Sequence, residues 1–510
     1  MKKKTILFLA GIIAVSAYGC GTKKQTGSNQ AELTCWMPLS SVAASSVSNY
    51  AETPFAKKLE EAIGVKINYQ HPPQGQETEK FNILMAMNQL PDVIIADWPD
   101  YPGGPGKAIS ENKIIDLTDD IKTKAPDFYK VVSENEEWAR LMKTDDGKIY
   151  SFPFIRGDKS LLISQGLVLR KDWLDELGLP IPETIDDWEK TLTAFKEKKG
   201  ATPLSVAAWH FNSGIFCGAY GVNKNFYIED GKVKYGQLEH GFKDFLIKMN
   251  DWYNKGLLDK DIASYDNKMI DSKILSGKLG ATVGSIGSGI GKWMSMAESD
   301  TYNLAAAPIP VLNKGDEIKF GFGDLPVVKR GGAISTSCKN VDAAYKMLNY
   351  GYSDEGHMLY NFGIEGESYE MKDGYPTYTE TITNNSEGLS MTVALARYAQ
   401  SPSMGTFVQD KRYMEQYAAL PQQQDALKLW GSADTTGRLM PYLYYDESKL
   451  SDTVKKETAI GTYSDEMFLK FIIGIEPISK YDDFVAELKN RGIDDVLATK
   501  QEAYEKYKNR

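Results

Sequence analysis

The run Pro91-Asp-Val-Ile-Ile-Ala-Asp97 decides the fold, because it completes a regular alternation of strands and helices. Its apolar centre is typical of a buried strand, and Trp98 follows its final acid directly. The order strand, helix, strand, helix, strand predicts a parallel sheet with helical crossovers. The four preceding elements are residues 32–37 (ELTCWM), 53–63 (TPFAKKLEEAI), 65–69 (VKINY) and 77–89.

The second of these elements carries clear boundary signals. Thr53 is predicted as the N-cap, Pro54 as the first helical residue and Gly64 as the stop. Similar signals recur downstream, where Thr184 is a predicted N-cap with Asp187 three residues on. The chain therefore predicts a second α/β section, followed from residue 408 by a mainly helical part. Its further elements are strands at 166–170 and 280–283 and helices at 171–177, 184–198, 340–350, 481–489 and 494–508.

Three positions stand where ligands bind in open parallel sheets, beyond the carboxyl ends of strands. They are Trp36, the pair Asp97 and Trp98, and the glycine-rich turn that ends at Trp293. Each has a tryptophan at or just past a predicted strand end. We predict that these side chains contact a ligand, although packing in the core is the alternative for any one of them.

Composition narrows the possible functions. The chain has 510 residues, with 59 Lys and Arg, 69 Asp and Glu, and a net charge of -10, so it lacks the basic surface that nucleic acid requires. Four cysteines exclude a scaffold built on disulfides, and four histidines leave little for zinc chemistry. Cys35, Cys217 and Cys338 allow at most one disulfide, and we expect them to be buried apolar side chains.

Residues 1–19 are predicted to be a signal peptide. Three lysines precede an apolar run of 12 residues, Ile6–Ala17, which is shorter than the roughly 20 needed to span a bilayer. Gly19-Cys20 after this run resembles the lipobox of bacterial lipoproteins, although Tyr18 departs from the usual small residue. The resemblance implies cleavage before Cys20, a diacylglycerol on its thiol and a polar tether over 20–30. A secretory signal with an incidental cysteine is the alternative.

Nine further stretches, in this order, carry a second resemblance. The chain is similar to the extracellular solute-binding lipoproteins of bacterial sugar ABC importers, the family of maltodextrin-, oligosaccharide- and alginate-binding proteins. The stretches are LPDVII (90–95), DGKIYSFP (146–153), VLRKDWLDELGL (168–179), PETIDDW (182–188), GAYGV (218–222), DGKVKY (230–235), WYNKGLL (252–258), NFGIEG (361–366) and IEPISKY (475–481).

This resemblance implies a two-lobed α/β fold of the periplasmic-binding-protein type, class II, with a ligand cleft between the lobes. It implies that lobe one comprises residues 31–153 plus 323–362. Lobe two would comprise residues 160–310 plus 368–510. The chain is expected to cross between them near 151–159, 310–322 and 361–367.

The resemblance also implies a set of sugar contacts. Aromatic faces cover the apolar C–H patches of a pyranose, and charged side chains bind its hydroxyls. The implied contacts are Trp36, Asp97, Trp98, Trp209, Tyr220, Trp293, Arg156 and Asp158 at the first crossing, and Glu365 at the third. Many relatives have a calcium loop where this chain has 197–203 (EKKGATP). Calcium takes about six to eight oxygen ligands, so we predict no calcium there and no cofactor.

The function implied is capture of an oligosaccharide and its delivery to ABC permease subunits, without catalysis. The protein is expected to be a monomer that is held at the cell membrane by its lipid and faces the outside. The turn 284–293 is not a phosphate loop, because Ile286 and Trp293 replace the required Gly and Ser or Thr. Two alternatives remain, a binder of peptides or other solutes and a secreted glycoside hydrolase with a carboxylate pair.

Overall fold

The computed structural model describes residues 31–510. The predicted signal peptide, the lipidation site at Cys20 and the tether lie outside this range. The strands, numbered along the chain, are β1 (Ala31–Trp36), β2 (Val65–Gln70), β3 (Val93–Asp97), β4 (Phe152–Arg156), β5 (Gln165–Arg170), β6 (Thr202–Leu204), β7 (Phe226–Glu229), β8 (Lys232–Tyr235), β9 (Leu279–Ser285), β10 (Leu304–Ala307), β11 (Val327–Ile334), β12 (Tyr369–Lys372), β13 (Tyr375–Tyr378) and β14 (Val408–Gln409).

The helices are numbered in the same way. Those of the first half are α1 (Ser41–Ala44), α2 (Pro54–Ile63), α3 (Glu77–Met85), α4 (Gly104–Ser110), α5 (Ile121–Lys124), α6 (Pro126–Glu134), α7 (Glu136–Met142), α8 (Lys171–Leu177), α9 (Ile185–Ala194) and α10 (His240–Asn254). Those of the second half are α11 (Asn267–Leu275), α12 (Lys292–Met296), α13 (Val341–Tyr350), α14 (Asp354–Phe362), α15 (Glu380–Thr383), α16 (Met391–Tyr398), α17 (Lys411–Tyr417), α18 (Pro421–Trp430), α19 (Glu447–Ile473), α20 (Tyr481–Asn490) and α21 (Ile493–Lys508).

Lobe one is built on a six-stranded sheet in the order β14-β4-β11-β3-β1-β2. β1 pairs in parallel with both β2 and β3, which confirms the parallel sheet predicted from the first strands. β11 runs antiparallel to β3 and β4, and it brings a later part of the chain into the centre of the sheet. Helices α2, α13 and α14 pack around this sheet and its buried apolar residues.

The boundaries of α2 follow the predicted signals. The Thr53 hydroxyl accepts a hydrogen bond from the Ala56 N–H at 3.1 Å, and Pro54 is the first helical residue. Gly64 ends the helix with a φ of 66°, a conformation that glycine adopts without steric cost. α3 ends at Met85, before the predicted Gln89, and the Leu90 N–H donates instead to the Ser337 hydroxyl.

Lobe two is built on a four-stranded sheet in the order β10-β5-β9-β6. β5 runs antiparallel to β10 and β9, whereas β6 is parallel to β9, so this sheet is mixed. The predicted capping box at Thr184 and Asp187 is confirmed at the start of α9. Trp188 and Trp252, which are completely buried, are among the largest residues of its core.

The third part of the chain connects both lobes. β14 joins the edge of the lobe-one sheet next to β4, and α16 packs against α1 and α2. α18 packs on β10 of lobe two, where the Trp430 indole donates to the Ala307 carbonyl at 3.1 Å. The Trp430 ring lies so close to Gly166 that any Cβ there would collide with it. α19 and α21 then complete lobe two against α10 and β8.

The three cysteines of the described chain are unpaired. Cys35 and Cys217 are buried, as predicted, and burial raises the pKa of the Cys217 thiol to about 12. Cys338 differs from the prediction because it is only half-buried, at the edge of the lobe-one core. Burial raises its pKa to about 11, so the thiol stays protonated at neutral pH.

Candidate functional site

Two neighbouring pockets lie on the face of lobe two where the chain crosses from one lobe to the other. The first, here called the crossing pocket, has a volume of about 270 Å³. The second, the turn pocket, has a volume of about 250 Å³ and lies beside the glycine-rich turn after β9. Gln165 and Trp209 line both, so the pockets are adjacent. Each is slightly smaller than the roughly 300 Å³ at the lower end of small-molecule sites.

Four separate parts of the chain build the crossing pocket. Its lining comes from the start of β5, from the segment before β11, and from the segment after α18, together with side chains that follow β6. The lining residues are Leu162, Ser164, Gln165, Trp209, Asn212, Ser213, Asn223, Phe320, Gly321, Phe322, Gly323, Asp324, Thr435, Arg438 and Leu439. No residue of the lobe-one sheet lines this pocket, so a ligand bound here would have no contact with that sheet.

Trp209 separates the two pockets and presents its ring to solvent. It lies in a 3-10 turn, Ala208–Ser213, which follows β6. Its side chain is 54% exposed, whereas seven of the other eight tryptophans are buried and Trp138 is half-buried; all nine lie within residues 31–510. A flat apolar ring held in water between two polar pockets is suited to stack against a ligand.

His210, the next residue, is buried behind Trp209 and lines the turn pocket. Its Nδ1 accepts a hydrogen bond from the Ala207 N–H at 3.0 Å, so the imidazole carries its proton on Nε2. Burial lowers the pKa of His210 to about 3. The imidazole is therefore neutral at physiological pH.

Trp293 forms the floor of the turn pocket. Its side chain is buried, and its indole N–H donates to the Asp271 carboxylate at 2.7 Å. The ring packs against Gly284, where a Cβ would lie 2.7 Å from it. The turn is a π-helical segment, Ile286–Gly291, and the glycines allow the close approach of ring and backbone. The structure thus brings Trp209 and Trp293, two of the predicted contacts, into one pocket.

Arg156 and Asp158 lie at the first crossing, beside the crossing pocket. Arg156 is largely buried; it donates to the Leu161 carbonyl at 3.2 Å and pairs with Asp324 at 2.7 Å. Asp324 lines the crossing pocket and Arg156 does not, so Arg156 is connected to the pocket through its ion pair with Asp324. Asp158 caps a short helix by accepting from the Ser160 N–H at 2.9 Å. Burial acts to raise the pKa of Asp158, but the hydrogen bonds from Ser160 outweigh it and lower the pKa.

The lobe-one residues Trp36 and Trp98 lie in an apolar cluster. Trp98 is completely buried and donates to the Gly331 carbonyl at 3.1 Å, while Trp36 is 7% exposed. Both pack against Phe81 of α3. Their contact with a ligand stays a prediction, and in this structure their rings pack within the apolar cluster.

Asp97 ends the same strand with its side chain at the surface. Its carboxylate accepts from Nε and Nη2 of Arg330 at 2.9 and 3.2 Å, and it is 39% exposed. Asp100, one helical turn on, pairs with Lys329 at 2.8 Å. The two neighbouring pairs give this edge of lobe one a polar surface.

Tyr220 and Glu365 line neither pocket. The Tyr220 ring is half-buried and packs near Phe245 on α10. Glu365 is exposed in the turn that follows α14. Their roles as contacts stay predictions.

Several pocket residues were missed from the sequence. Phe320 and Phe322 fall within the predicted second crossing, but no sequence pattern indicated that their side chains line a pocket. Arg438 follows a helical region that carried no site signal, and Asp271 lies within α11. Their positions depend on how distant segments pack together.

Three further observations concern the described residues. Between residues 31 and 510, no group of three or more His, Cys, Asp or Glu side chains could hold a metal ion. The loop at 197–203 contains the end of a π-helical turn, which Gly200 closes with a φ of 61°; the absence of calcium there stays a prediction. None of the helices in this range is long and apolar enough to span a bilayer.

Comparison with known proteins gives a consistent result. The family model described as bacterial extracellular solute-binding protein matches residues 43–358. The chain is 26% identical to lipoprotein LipO of Bacillus subtilis over 90% of each chain. It is 24% identical to the fructooligosaccharide ABC transporter substrate-binding protein FusA of Streptococcus pneumoniae, over 88% of this chain and 86% of that one.

A solved structure has the same fold. The structure of the alginate-binding protein AlgQ2 without calcium ion superposes with a TM-score of 0.74, over 93% of this chain and 98% of that one, at 23% identity. The predicted two-lobed α/β fold is therefore confirmed.

Proposed function

The chain belongs to the family of bacterial extracellular solute-binding proteins, and from this premise we propose that it captures an oligosaccharide for an ABC importer. Relatives named for fructooligosaccharide and alginate support a sugar as the ligand class. Members of this family bind solutes rather than transform them, so no catalytic step is assigned.

One observation carries the proposal, the exposed indole of Trp209 between two polar pockets. A sugar ring has an apolar face that an indole covers and a rim of hydroxyls that polar groups bind. Asn212, Ser213 and Asn223 supply such groups in the crossing pocket, and Asn267 and Ser288 supply them in the turn pocket.

Binding is proposed to close the two lobes. A ligand on the lobe-two face leaves its other side free, and the Asp97 edge of lobe one is the surface that would cover it. A ligand that contacts both lobes favours the closed state, because its affinity for that state is greater. The crossing segments, including Arg156 and its partner Asp324, are the proposed hinge.

The finer parts of the proposal concern location. Lipidation of Cys20 after cleavage of residues 1–19 would hold a monomer at the outer face of the membrane, near its permease. Cys20→Ala should release the protein into the medium, and mass spectrometry of the wild type should find diacylglycerol on the N-terminal cysteine. Retention of the variant in the membrane fraction would contradict lipid anchoring.

Calorimetric titration of the purified protein against oligosaccharides and short peptides tests the ligand class. We expect heat of binding with at least one oligosaccharide and its loss in Trp209→Ala. The matched control is Trp138→Ala, which changes a half-buried tryptophan that lines neither pocket. Binding of peptides but not of glycans would overturn the proposal, and so would turnover of a bound glycan.

A further inference from the structure

The charges that line the two pockets are balanced within the protein itself. Apart from His210, four charged side chains of the described residues line them: Asp324 and Arg438 in the crossing pocket, and Asp271 and Lys292 in the turn pocket. The other lining groups are hydroxyls, amides, aromatic and aliphatic side chains, and backbone. Whether the site accepts a charged ligand therefore depends on what these four groups already bind.

In the crossing pocket both charges have partners. Arg438 forms an ion pair with Glu229 at the end of β7, and the guanidinium lies 5.2 Å from the centre of the Phe320 ring. Glu229 also pairs with Lys234 at 2.7 Å. Asp324 pairs with Arg156 at 2.7 Å. Arg438 is thus held between a carboxylate and an aromatic face, and only 22% of its side chain is exposed.

In the turn pocket the arrangement is similar. Lys292 pairs with Asp271 at 2.5 Å, and the same carboxylate accepts the Trp293 indole N–H. The neighbouring His210 is neutral at physiological pH because burial lowers its pKa to about 3. Among the described residues, the turn pocket therefore offers no cation that is without a carboxylate partner.

The facing edge of lobe one has the same character. Arg330 is bound by Asp97 and Lys329 by Asp100. Burial raises the pKa of Tyr442, and Tyr150 and the negative charges of Asp324, Asp97 and Asp100 add to the effect. Closure of the lobes would thus bring carboxylates, and cations that are already paired, toward the ligand.

From these contacts we infer that the ligand is an uncharged oligosaccharide, and that the site selects against glycans that carry carboxylates. This inference rests on the proposed function and deepens it. A ligand carboxylate loses its hydration in a closed cleft and needs a cation in return. Here each lining cation would have to leave its own partner, and that partner would then repel the ligand.

Neutral sugars meet no such obstacle. Their hydroxyls donate to carboxylate oxygens and accept from amides without breaking an ion pair. The inference separates this chain from a relative named for alginate, a uronate polymer, and groups it with one named for fructooligosaccharide.

The test compares oligosaccharides that differ only in oxidation at C6. The purified full chain is titrated with galacto-, gluco- and manno-oligosaccharides of two to four units and with the matching uronates. We expect at least one neutral compound to bind and its uronate to bind at least 100-fold more weakly. A uronate that binds as tightly as its neutral counterpart overturns the inference and leaves the proposed function intact. Failure of every glycan, neutral or acidic, counts against the proposed function itself.

A variant sharpens the test by releasing one cation. Glu229→Gln removes a partner of Arg438 without changing a pocket residue, and it should raise uronate affinity about tenfold relative to the wild type. Asp271→Asn makes the same test in the turn pocket if the first variant folds poorly. Asp482→Asn is the control, because it breaks an exposed ion pair with Lys243 remote from both pockets. Unchanged uronate affinity in both folded variants would contradict the assigned role of these pairs.

Discussion

Trp98 and Trp209 both follow a strand, yet they differ in burial and in what surrounds them. Trp98 comes directly after β3 of lobe one and is completely buried beneath Phe81 and Tyr101. Trp209 follows β6 of lobe two and is 54% exposed beside two pockets. The end of a strand therefore does not decide whether an aromatic ring is exposed or buried. What decides is whether a neighbouring helix covers the ring, as α3 covers Trp98.

Trp98→Ala tests the buried member of the pair and should have the largest effect. Loss of a large buried ring leaves a cavity, so the free energy of unfolding should fall by about 3–5 kcal/mol. Urea denaturation followed by tryptophan fluorescence measures it. A loss below about 1 kcal/mol together with abolished binding would instead assign Trp98 to the binding surface.

Acid titration tests the buried imidazole behind Trp209. A folded-state pKa of about 3, against 6.5 when unfolded, means that the unfolded chain binds the proton first as pH falls. The His210 contribution is complete above pH 6.5 and is lost as pH falls toward 3, by up to about 3 kcal/mol near pH 4. His210→Gln should therefore lose less stability than the wild type between pH 7 and 4.

The control for this titration is His240→Gln, since the His240 side chain is 89% exposed. Its unfolding free energy should follow the wild-type curve at each pH. A wild-type curve parallel to that of His210→Gln would contradict the role of His210.

Trp209→Ala tests the exposed member of the pair. Its ring contributes little to the core, so unfolding free energy should change by no more than about 0.5 kcal/mol. Ligand affinity should fall by about 2 kcal/mol, or about 30-fold, as expected for an aromatic residue central to a site. Trp209→Phe keeps an aromatic face and should recover part of the loss in the same calorimetric assay.

Asp97→Asn gives the smallest expected effect and asks whether lobe one contributes to the site. Its ion pair with Arg330 is partly exposed, so the cost in stability should be below about 1 kcal/mol. Affinity should fall by about 1.4 kcal/mol, or tenfold, if lobe one closes on the ligand. Asp342→Asn, which changes an exposed carboxylate paired with Lys124, is the control. Equal affinities of both variants would confine the site to lobe two.

Local signals sufficed for much of the fold. The caps of α2 and α9 and the strand patterns of β1 to β3 are encoded within a few neighbouring residues, and they were predicted correctly. The return of the chain through β11 and β14 into the lobe-one sheet was not predicted from pattern, since strand pairing over such separations leaves no local trace.

The site was less predictable for the same reason. Trp209 and Trp293 were identified, but the crossing pocket combines residues near positions 164, 322 and 437, which no spacing connects. The ion pairs of Arg438 and Lys292 likewise join distant elements. Whether a lining charge is free or paired, which determines ligand chemistry, is a property of the packed structure alone.

The connection after α18 has a mechanical consequence. The Trp430 indole holds α18 on lobe two by a hydrogen bond to the Ala307 carbonyl, and Arg438 is held on the same lobe by its ion pair with Glu229. Tyr442 is held on lobe one, because its hydroxyl donates a hydrogen bond to the Val327 carbonyl at 2.8 Å. Along this stretch, any change of angle between the lobes falls on the three residues between these anchors, Leu439, Met440 and Pro441. Leu439 also lines the crossing pocket, so under the proposed closure a ligand there would lie close to the pivot, and a small displacement beside it would move the lobe tips through a long arc.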